Sequence, residues 1–428
     1  MGLLRLLQRL FFGSSATAEE PRQDVRPSSQ SKPSASAERQ RERLAPLRYQ
    51  SSLVATPRSR EVVEGSSPPY RFAHRDAVGG AYLDLSQDVD PRWLDYYGLP
   101  HLSTPEDLAG WLRLPIGKVA WLTYRFCENR RPQSAKEAHY HFRWIRKRSG
   151  GHRLIEAPKK TLRLVQIQIL REILDRIPPH PAAHGFVRGR SLTTNAAPHV
   201  GKRVVVKFDL DNFYGSVRQS RIVAIFRSLG YSREVALWLA RLTTSAAPGS
   251  LKLPLGESTS IWKYMPRHLP QGASTSPALA NLSAFGLDIR LAGLARAWHV
   301  DYTRYADDLT FSGDPKFVAA VGDFIPLVQQ IIRDEGFQSK RSKRRVLRTN
   351  QRQTVTGVVV NQHINVSRAK YDRLKATLHN CVKHGPASQN HDLHADFAAH
   401  LRGRIAHMHR LNPHRGQKLL ALFAKIKW

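Results

Sequence analysis

The chain has 428 residues, enough to bury a large core and to form about two or three domains. Its 67 Lys and Arg against 34 Asp and Glu give a net charge of +33 and a pI near 10.8, so a polyanionic partner is expected, nucleic acid first and an anionic membrane surface second. Two cysteines, Cys127 and Cys381, exclude a disulfide framework or a Cys-rich zinc site and suit a reducing cytoplasm, and no apolar run approaches the roughly 18 residues of a membrane span.

Residues 1–12 put Leu3, Leu7, Leu10 and Phe11 on one helical face, but Arg and Gln interrupt the run too often for a signal peptide. Residues 1–69 as a whole are rich in Ser, Pro, Arg, Gln and Glu without period and predict a disordered, basic extension. A helical module is expected over 70–138. Thr104 serves there as a cap, Pro105 opens the first turn, and Leu108, Trp111 and Leu112 follow at helical spacing. Residues 139–145 and 152–156 alternate around Ser149-Gly150-Gly151, which predicts a hairpin bearing Arg143, Arg146, Lys147, Arg148 and Arg153. Pro158 then opens a long helical pattern. The Gly-punctuated stretch 184–191 would let backbone N–H groups approach phosphates.

Residues 204–209 are a near-continuous apolar run ending in Asp209, the mark of a buried strand. Leu269-Pro270-Gln271-Gly272 opens a loop of small residues before an apolar helix over 278–287. Residues 300–304 and 309–313 read as two strands flanking Tyr305-Ala306-Asp307-Asp308. Adjacent acids at a hairpin tip repel one another unless a cation neutralises them, and Mg²⁺ is the natural candidate. Pairing of the two strand systems would bring Asp209 close to Asp307, a site for two divalent ions about 3.5–4 Å apart. Successive side chains on a strand point oppositely, so Asp307 is expected as the main ligand and Asp308 as support. Residues 317–332 form an amphipathic helix, a run of six Lys and Arg crowds 340–348, and 355–360 reads as one more apolar strand around Gly357. The chain is helical and basic from Ser367 onward. His391, His394 and His400 lack Cys or carboxylate partners at zinc spacing.

Tyr-Ala-Asp-Asp, after an Asp-x-x-x-Phe-Tyr strand end and a Leu-Pro-Gln-Gly-x-x-x-Ser-Pro loop, resembles the reverse transcriptases over roughly residues 100–428. Asn195-Ala196-Ala197-Pro198-His199, Val355-Thr356-Gly357 and Leu401-Arg402-Gly403-Arg404-Ile405 narrow the resemblance to the bacterial retron enzymes. The resemblance implies an α+β right-hand fold, with fingers over 139–203, a palm with an antiparallel sheet over 204–362 and a helical, RNA-binding thumb over 363–428. It makes Asp209, Asp307 and Asp308 the catalytic, metal-binding triad, with the Leu210 carbonyl as a further ligand. Two Mg²⁺ ions are the expected cofactor, with Mn²⁺ as substitute. The nucleotide contacts it implies are Arg153, Asn212, Phe213, Tyr214, Gln271, Gly272 and Lys343, with Tyr214 set against the sugar 2′ position. Lys343 is expected near the pyrophosphate, although Arg344 and Lys340 depart from the family's usual Thr and Asn around it. Asn195, His199, Val355, Thr356, Gly357, Arg402 and Arg404 are implied as RNA contacts.

The implied partners are dNTPs, a cognate noncoding RNA that is template and primer, its DNA product, and an effector or toxin protein in phage defence. A guanosine 2′-hydroxyl would start the DNA and leave it branched from the RNA. No RNase H-like module is found, and the location expected is cytoplasmic. An RNA-binding scaffold or antitoxin-like protein, or a bacterial reverse transcriptase with different priming, is the alternative.

Overall fold

The computed structural model describes residues 89–124, 132–147, 150–254 and 261–428. The extension over 1–69, the start of the helical module, Phe126, Cys127 and Arg148 lie outside the described residues. Asp90 caps α1 (Pro91–Tyr97). Thr104 and Asp107 form a reciprocal capping box at α2 (Pro105–Trp111), each satisfying an orphan N–H of the first turn. α3 (Ile116–Leu122) completes this group. Strands β1 (Tyr140–Arg146) and β2 (His152–Pro158) pair antiparallel, with Arg146 opposite His152. Pro158 therefore ends the strand rather than opening the helix, and α4 (Lys160–Glu172) starts two residues later.

Ser191 caps the short helix α5 (Leu192–Ala196). Next come the buried strand β3 (Val204–Asp209), the single turn α6 (Phe213–Ser216), and helices α7 (Gln219–Ser228) and α8 (Arg233–Thr243). The single helix expected over 278–287 is two, α9 (Ser276–Ser283) and α10 (Phe285–Ala297), bent by 49°. The acidic hairpin is β4 (Asp301–Tyr305) and β5 (Asp308–Gly313), so its turn is only Ala306-Asp307 and Asp308 already belongs to the strand. α11 (Pro315–Asp334) and β6 (Arg345–Arg348) follow.

The apolar run 355–360 is not one strand. It is a tight hairpin of β7 (Thr354–Val355) and β8 (Val358–Val359), because Thr356 and Gly357 both take positive φ, 47° and 84°, and reverse the chain. Ser367 caps α12 (Arg368–His384), and α13 (Phe397–Leu411) and α14 (Pro413–Phe423) close the helical C-terminal part.

The main sheet has the order β4-β5-β3-β6 and is antiparallel throughout. One core cluster joins the first helices, β3, β5 and α7–α11. A second joins β7, β8 and α12–α14 to α5 through Ala196 and to the sheet through Val205. Among the described residues no single helix is long and apolar enough to cross a membrane. The bent α9–α10 pair resembles a span by length and composition, yet it supplies core residues such as Leu279, Leu287 and Leu291.

Candidate active site

The register of the sheet builds the acidic site. Asp209, the last residue of β3, lies opposite Asp308, the first of β5. The Leu210 N–H donates to the Asp307 carbonyl at 2.9 Å, which ties the strand end to the hairpin turn. Ala306 holds the turn with φ 55°, and Gly185 packs directly against it: a Cβ there would lie 2.5 Å from the Ala306 nitrogen. The loop after α4 thus needs glycine to approach the Ala306-Asp307 turn.

Behind the turn stands a fully buried cation. Arg304 donates from Nε and Nη2 to Asp288 at 2.8 and 2.6 Å, and from Nη1 to Asn281 Oδ1 at 2.8 Å and to the Ala306 carbonyl at 3.2 Å. The Tyr302 hydroxyl donates to the same Asp288 carboxylate at 2.7 Å. This bidentate pair satisfies the hydrogen-bonding groups that burial would otherwise penalise.

The carboxylates in front are not balanced in this way. Burial raises the Asp307 pKa, and the charges of Asp308 and Asp209 raise it further. Burial raises Asp308 as well, with Asp209 adding to it and Lys207 and Lys343 opposing. The Lys343 ammonium donates to both oxygens of Asp209, at 2.9 and 2.7 Å. Lys340 pairs with Asp211 at 3.0 Å. Burial opposes ionisation of Asp211, but Lys340, Lys263 and Lys147 prevail and hold its carboxyl below the usual range.

A cleft of about 820 Å³ opens over these groups. It brings together Asp209, Leu210, Asp307, Asn212, Phe213, Tyr214, Arg153, Gln271 and Lys343. Asp308 and Gly272 are not among its lining residues. Gly272 instead packs against β2, where a Cβ would meet the Glu156 carbonyl at 3.1 Å. Asn212 turns the chain with φ 48°, and Gly215 receives its side chain, so Tyr214 is carried to the cleft wall. Burial first and the Asp307 charge second push the Tyr214 phenol up to about 12, so it stays neutral.

The donor set that faces a cation is oxygen only, which suits a hard divalent ion such as Mg²⁺ or Mn²⁺. Burial is the first cause that raises the carboxyls of Asp307 and Asp308, with neighbouring carboxylates adding to it. As the side chains stand, no three His, Cys, Asp or Glu groups among the described residues converge as a metal cluster, and Lys343 occupies the Asp209 oxygens. The residues fit the ion once that ammonium gives way.

The residues expected at RNA divide into two sets. Asn195, His199 and Val355 are buried, so their side chains present no surface to RNA in this structure. His199 contacts the Ser312 hydroxyl at 2.6 Å and the Thr303 hydroxyl at 2.8 Å, and burial lowers its pKa to about 3. It is a neutral histidine bridging β4 and β5. The Asn195 amide reaches the Thr356 hydroxyl at 3.5 Å and so touches the β7–β8 turn from within. Gly357 is exposed on that turn and shares a groove of about 560 Å³ with Arg404, Lys370, Arg373, His400 and His407. Arg402 lies outside this groove, over the Phe423 ring.

The sequence reading missed Glu156, His268 and Lys263 in the cleft wall. Glu156 had a signal: it follows Leu154 at the inward-facing spacing of an amphipathic strand, where an acid is out of place. His268 and Lys263 had none.

The family described as reverse transcriptase (RNA-dependent DNA polymerase) matches residues 145–360. The chain is 41% identical over 337 residues to the retron Mx65 reverse transcriptase of Myxococcus xanthus, covering 77% of this chain and 73% of that one. It is 36% identical over 345 residues to the retron Mx162 reverse transcriptase of the same organism, covering 77% and 68%. It is 28% identical over 334 residues to the retron Ec86 reverse transcriptase of Escherichia coli, covering 77% and 91%. Strand-end acid, small-residue loop and acidic hairpin meet at one cleft in a chain with this kinship, and the chain belongs to the retron reverse transcriptases, RNA-directed DNA polymerases.

Proposed function

We propose that the enzyme copies a cognate noncoding RNA that supplies both template and primer. A guanosine 2′-hydroxyl of that RNA starts the chain, and the product is single-stranded DNA branched from RNA. The observation that carries the chemistry is the cleft in which Asp209 and Asp307 face Gln271, Tyr214 and Arg153.

In this reading Asp209 and Asp307, helped by Asp308 and the Leu210 carbonyl, hold two Mg²⁺ ions, for which Mn²⁺ substitutes. When bound, such ions supply activation of the attacking hydroxyl and charge neutralisation of the leaving pyrophosphate. Arg153 meets the triphosphate from β2. Gln271, Asn212 and Phe213 line the nucleotide. Tyr214 excludes a ribose 2′-hydroxyl by its bulk, a repulsive form of specificity. Lys343 leaves Asp209 and turns to the phosphates. Gly272 keeps the loop flush with β2.

RNA is gripped by charge and shape along the groove beside the β7–β8 turn, where Thr356, Gly357, Arg404 and the flanking Arg402 are exposed or half-buried. Asn195, His199 and Val355 act on RNA through the turn and sheet they support. An effector protein and a part in phage defence complete the reading, on the family's example.

The test is the nucleic acid that copurifies with the protein expressed from its native operon. DNA that shortens on RNase treatment, and is absent from Asp307→Asn protein, is the expected result. RNA without DNA in both samples would favour the RNA-binding scaffold instead.

A further inference from the structure

A buried glutamate–histidine pair that the chemistry above does not use stands in the wall of the cleft. Glu156 of β2 and His268, just before the Leu269-Pro270-Gln271-Gly272 loop, are each 1% exposed. His268 Nε2 lies 2.9 Å from Glu156 Oε2. His268 Nδ1 lies 2.8 Å from the Pro266 carbonyl, which can only accept, so Nδ1 carries a hydrogen. The contact between Nε2 and Oε2 therefore needs one more proton, held by the imidazolium or by the carboxylic acid. Without it, two lone pairs would face each other in a dry wall. The other oxygen, Glu156 Oε1, is buried with no hydrogen-bond partner, so nothing else anchors this carboxylate.

The same two residues are stitched into the nucleotide loop. The Glu156 N–H donates to the Gln271 carbonyl at 2.9 Å, and Gly272 fits against the Glu156 carbonyl. His268 exchanges backbone hydrogen bonds with Ser245, both 2.9 Å. The pair thus links the β1–β2 hairpin to the loop that carries Gln271.

We propose that Glu156 and His268 form a proton-sharing clamp that fixes the loop over 270–272 against β2, and that the nucleotide pocket loosens when the pair loses its proton. Both are positioning residues, acting through Gln271. The proposal rests on the reading of Gln271 as a wall of the nucleotide site.

The groups that face the pair set its response. Tyr140 of β1 is raised by burial first and then by the Glu156 charge, and its oxygen accepts from Gln166 at 2.9 Å, so it stays neutral. Arg218 opposes a charge on His268. Arg267 donates to the Thr244 carbonyl at 3.1 Å and lies over the Tyr124 ring, and the Tyr264 ring stands 5.9 Å from His268. Burial opposes protonation of His268, but the Glu156 carboxylate and the bonds to Glu156 and Pro266 prevail, so its pKa is raised. A raised histidine keeps its contribution at low pH and loses it as pH rises through the folded value, which lies above the ordinary value of about 6.5.

The test is the KM for dTTP of the full-length enzyme on oligo(dT)-primed poly(rA), followed from about pH 7 to about pH 9, the window above an ordinary histidine. In the wild type KM should rise roughly tenfold, the scale of one charge-assisted hydrogen bond. Glu156→Gln should give a flat KM, because its amide donates to neutral Nε2 with no shared proton. Glu156→Ala should show the raised KM at every pH, with melting used to confirm that it is folded. A Glu156→Gln profile parallel to the wild type would overturn the clamp. So would a wild-type KM in Glu156→Ala while Gln271→Ala raises it. An unchanged KM in Gln271→Ala would instead overturn the assignment of the loop on which the clamp rests.

Discussion

Two groups of charge lie on opposite sides of one hairpin. Behind the turn, Arg304 and Asp288 are fully buried and their hydrogen bonds are made. In front, Asp307 and Asp308 are mostly buried beside each other and beside Asp209, and their carboxyls are raised in consequence. The first group holds the turn through the Ala306 carbonyl, which accepts from Arg304. The second is opposed by burial and by its own like charges, while Lys343 hydrogen-bonds Asp209 beside it.

Breaking the front group should abolish activity without harming the fold. Asp307→Asn should lower DNA synthesis by about three orders of magnitude, the scale of losing a main stabiliser of transition-state charge. In metal-free buffer the same variant should melt a few degrees higher than the wild type. The sign follows from linkage. An acid whose folded pKa is raised costs stability as pH rises from its unfolded value, near 3.9, through its folded value. Removing that acid removes the cost. A lower melting temperature in metal-free buffer would show that Asp307 is paired rather than frustrated.

Breaking the rear group should do the reverse. Asp288→Ala strands the Arg304 guanidinium and should cost about 3–5 kcal/mol in urea unfolding. Activity should fall only as far as the folded fraction falls and the turn relaxes. A near-neutral Asp288→Ala would mean that solvent reaches this pair.

Lys343 sharpens the comparison, because it is the one cation in direct contact with a front carboxylate among the described residues. Lys343→Met should tighten Mn²⁺ binding, read by electron paramagnetic resonance, by about tenfold, one unit of competition at 1.4 kcal/mol. It should also slow nucleotide addition. Weaker Mn²⁺ binding would mean that Lys343 orders Asp209 for the ion instead of competing with it. The smallest effect is expected far from the hairpin. Gly357→Ala forces a side chain into the left-handed region and should cost about 1–2 kcal/mol of stability. Its effect on RNA affinity should be smaller than that of Arg404→Gln, whose charge faces the groove. Equal effects would place the turn itself on the RNA.

Much of this was legible in the sequence because it is local. The apolar run of β3 names a buried strand, and its last residue is Asp209. Thr104-Pro105-Glu106-Asp107 names a helix start by its capping chemistry. The order of Asp209, Gln271 and Asp307 carries the family. What was not legible depends on pairing across long stretches of chain. The register that sets Asp308 opposite Asp209 is fixed by hydrogen bonds between strands about a hundred residues apart in sequence. His199 reads as an RNA contact until β4 and β5 close over it with Thr303 and Ser312. Residues 355–360 read as a strand because periodicity registers apolar character, whereas the reversal depends on backbone dihedrals at Thr356 and Gly357. Glu156 and His268 are 112 positions apart, and neither type suggests the other.

The proposed seat of the divalent ion, Asp209 with Asp307 and Asp308, is open to a direct test. The most direct measurement is the thermal shift on adding Mg²⁺ at neutral pH, in wild type and in Asp307→Asn. The expected result is that Mg²⁺ raises the wild-type melting temperature and leaves Asp307→Asn nearly unmoved. Equal shifts in both proteins would place the ion elsewhere and contradict it.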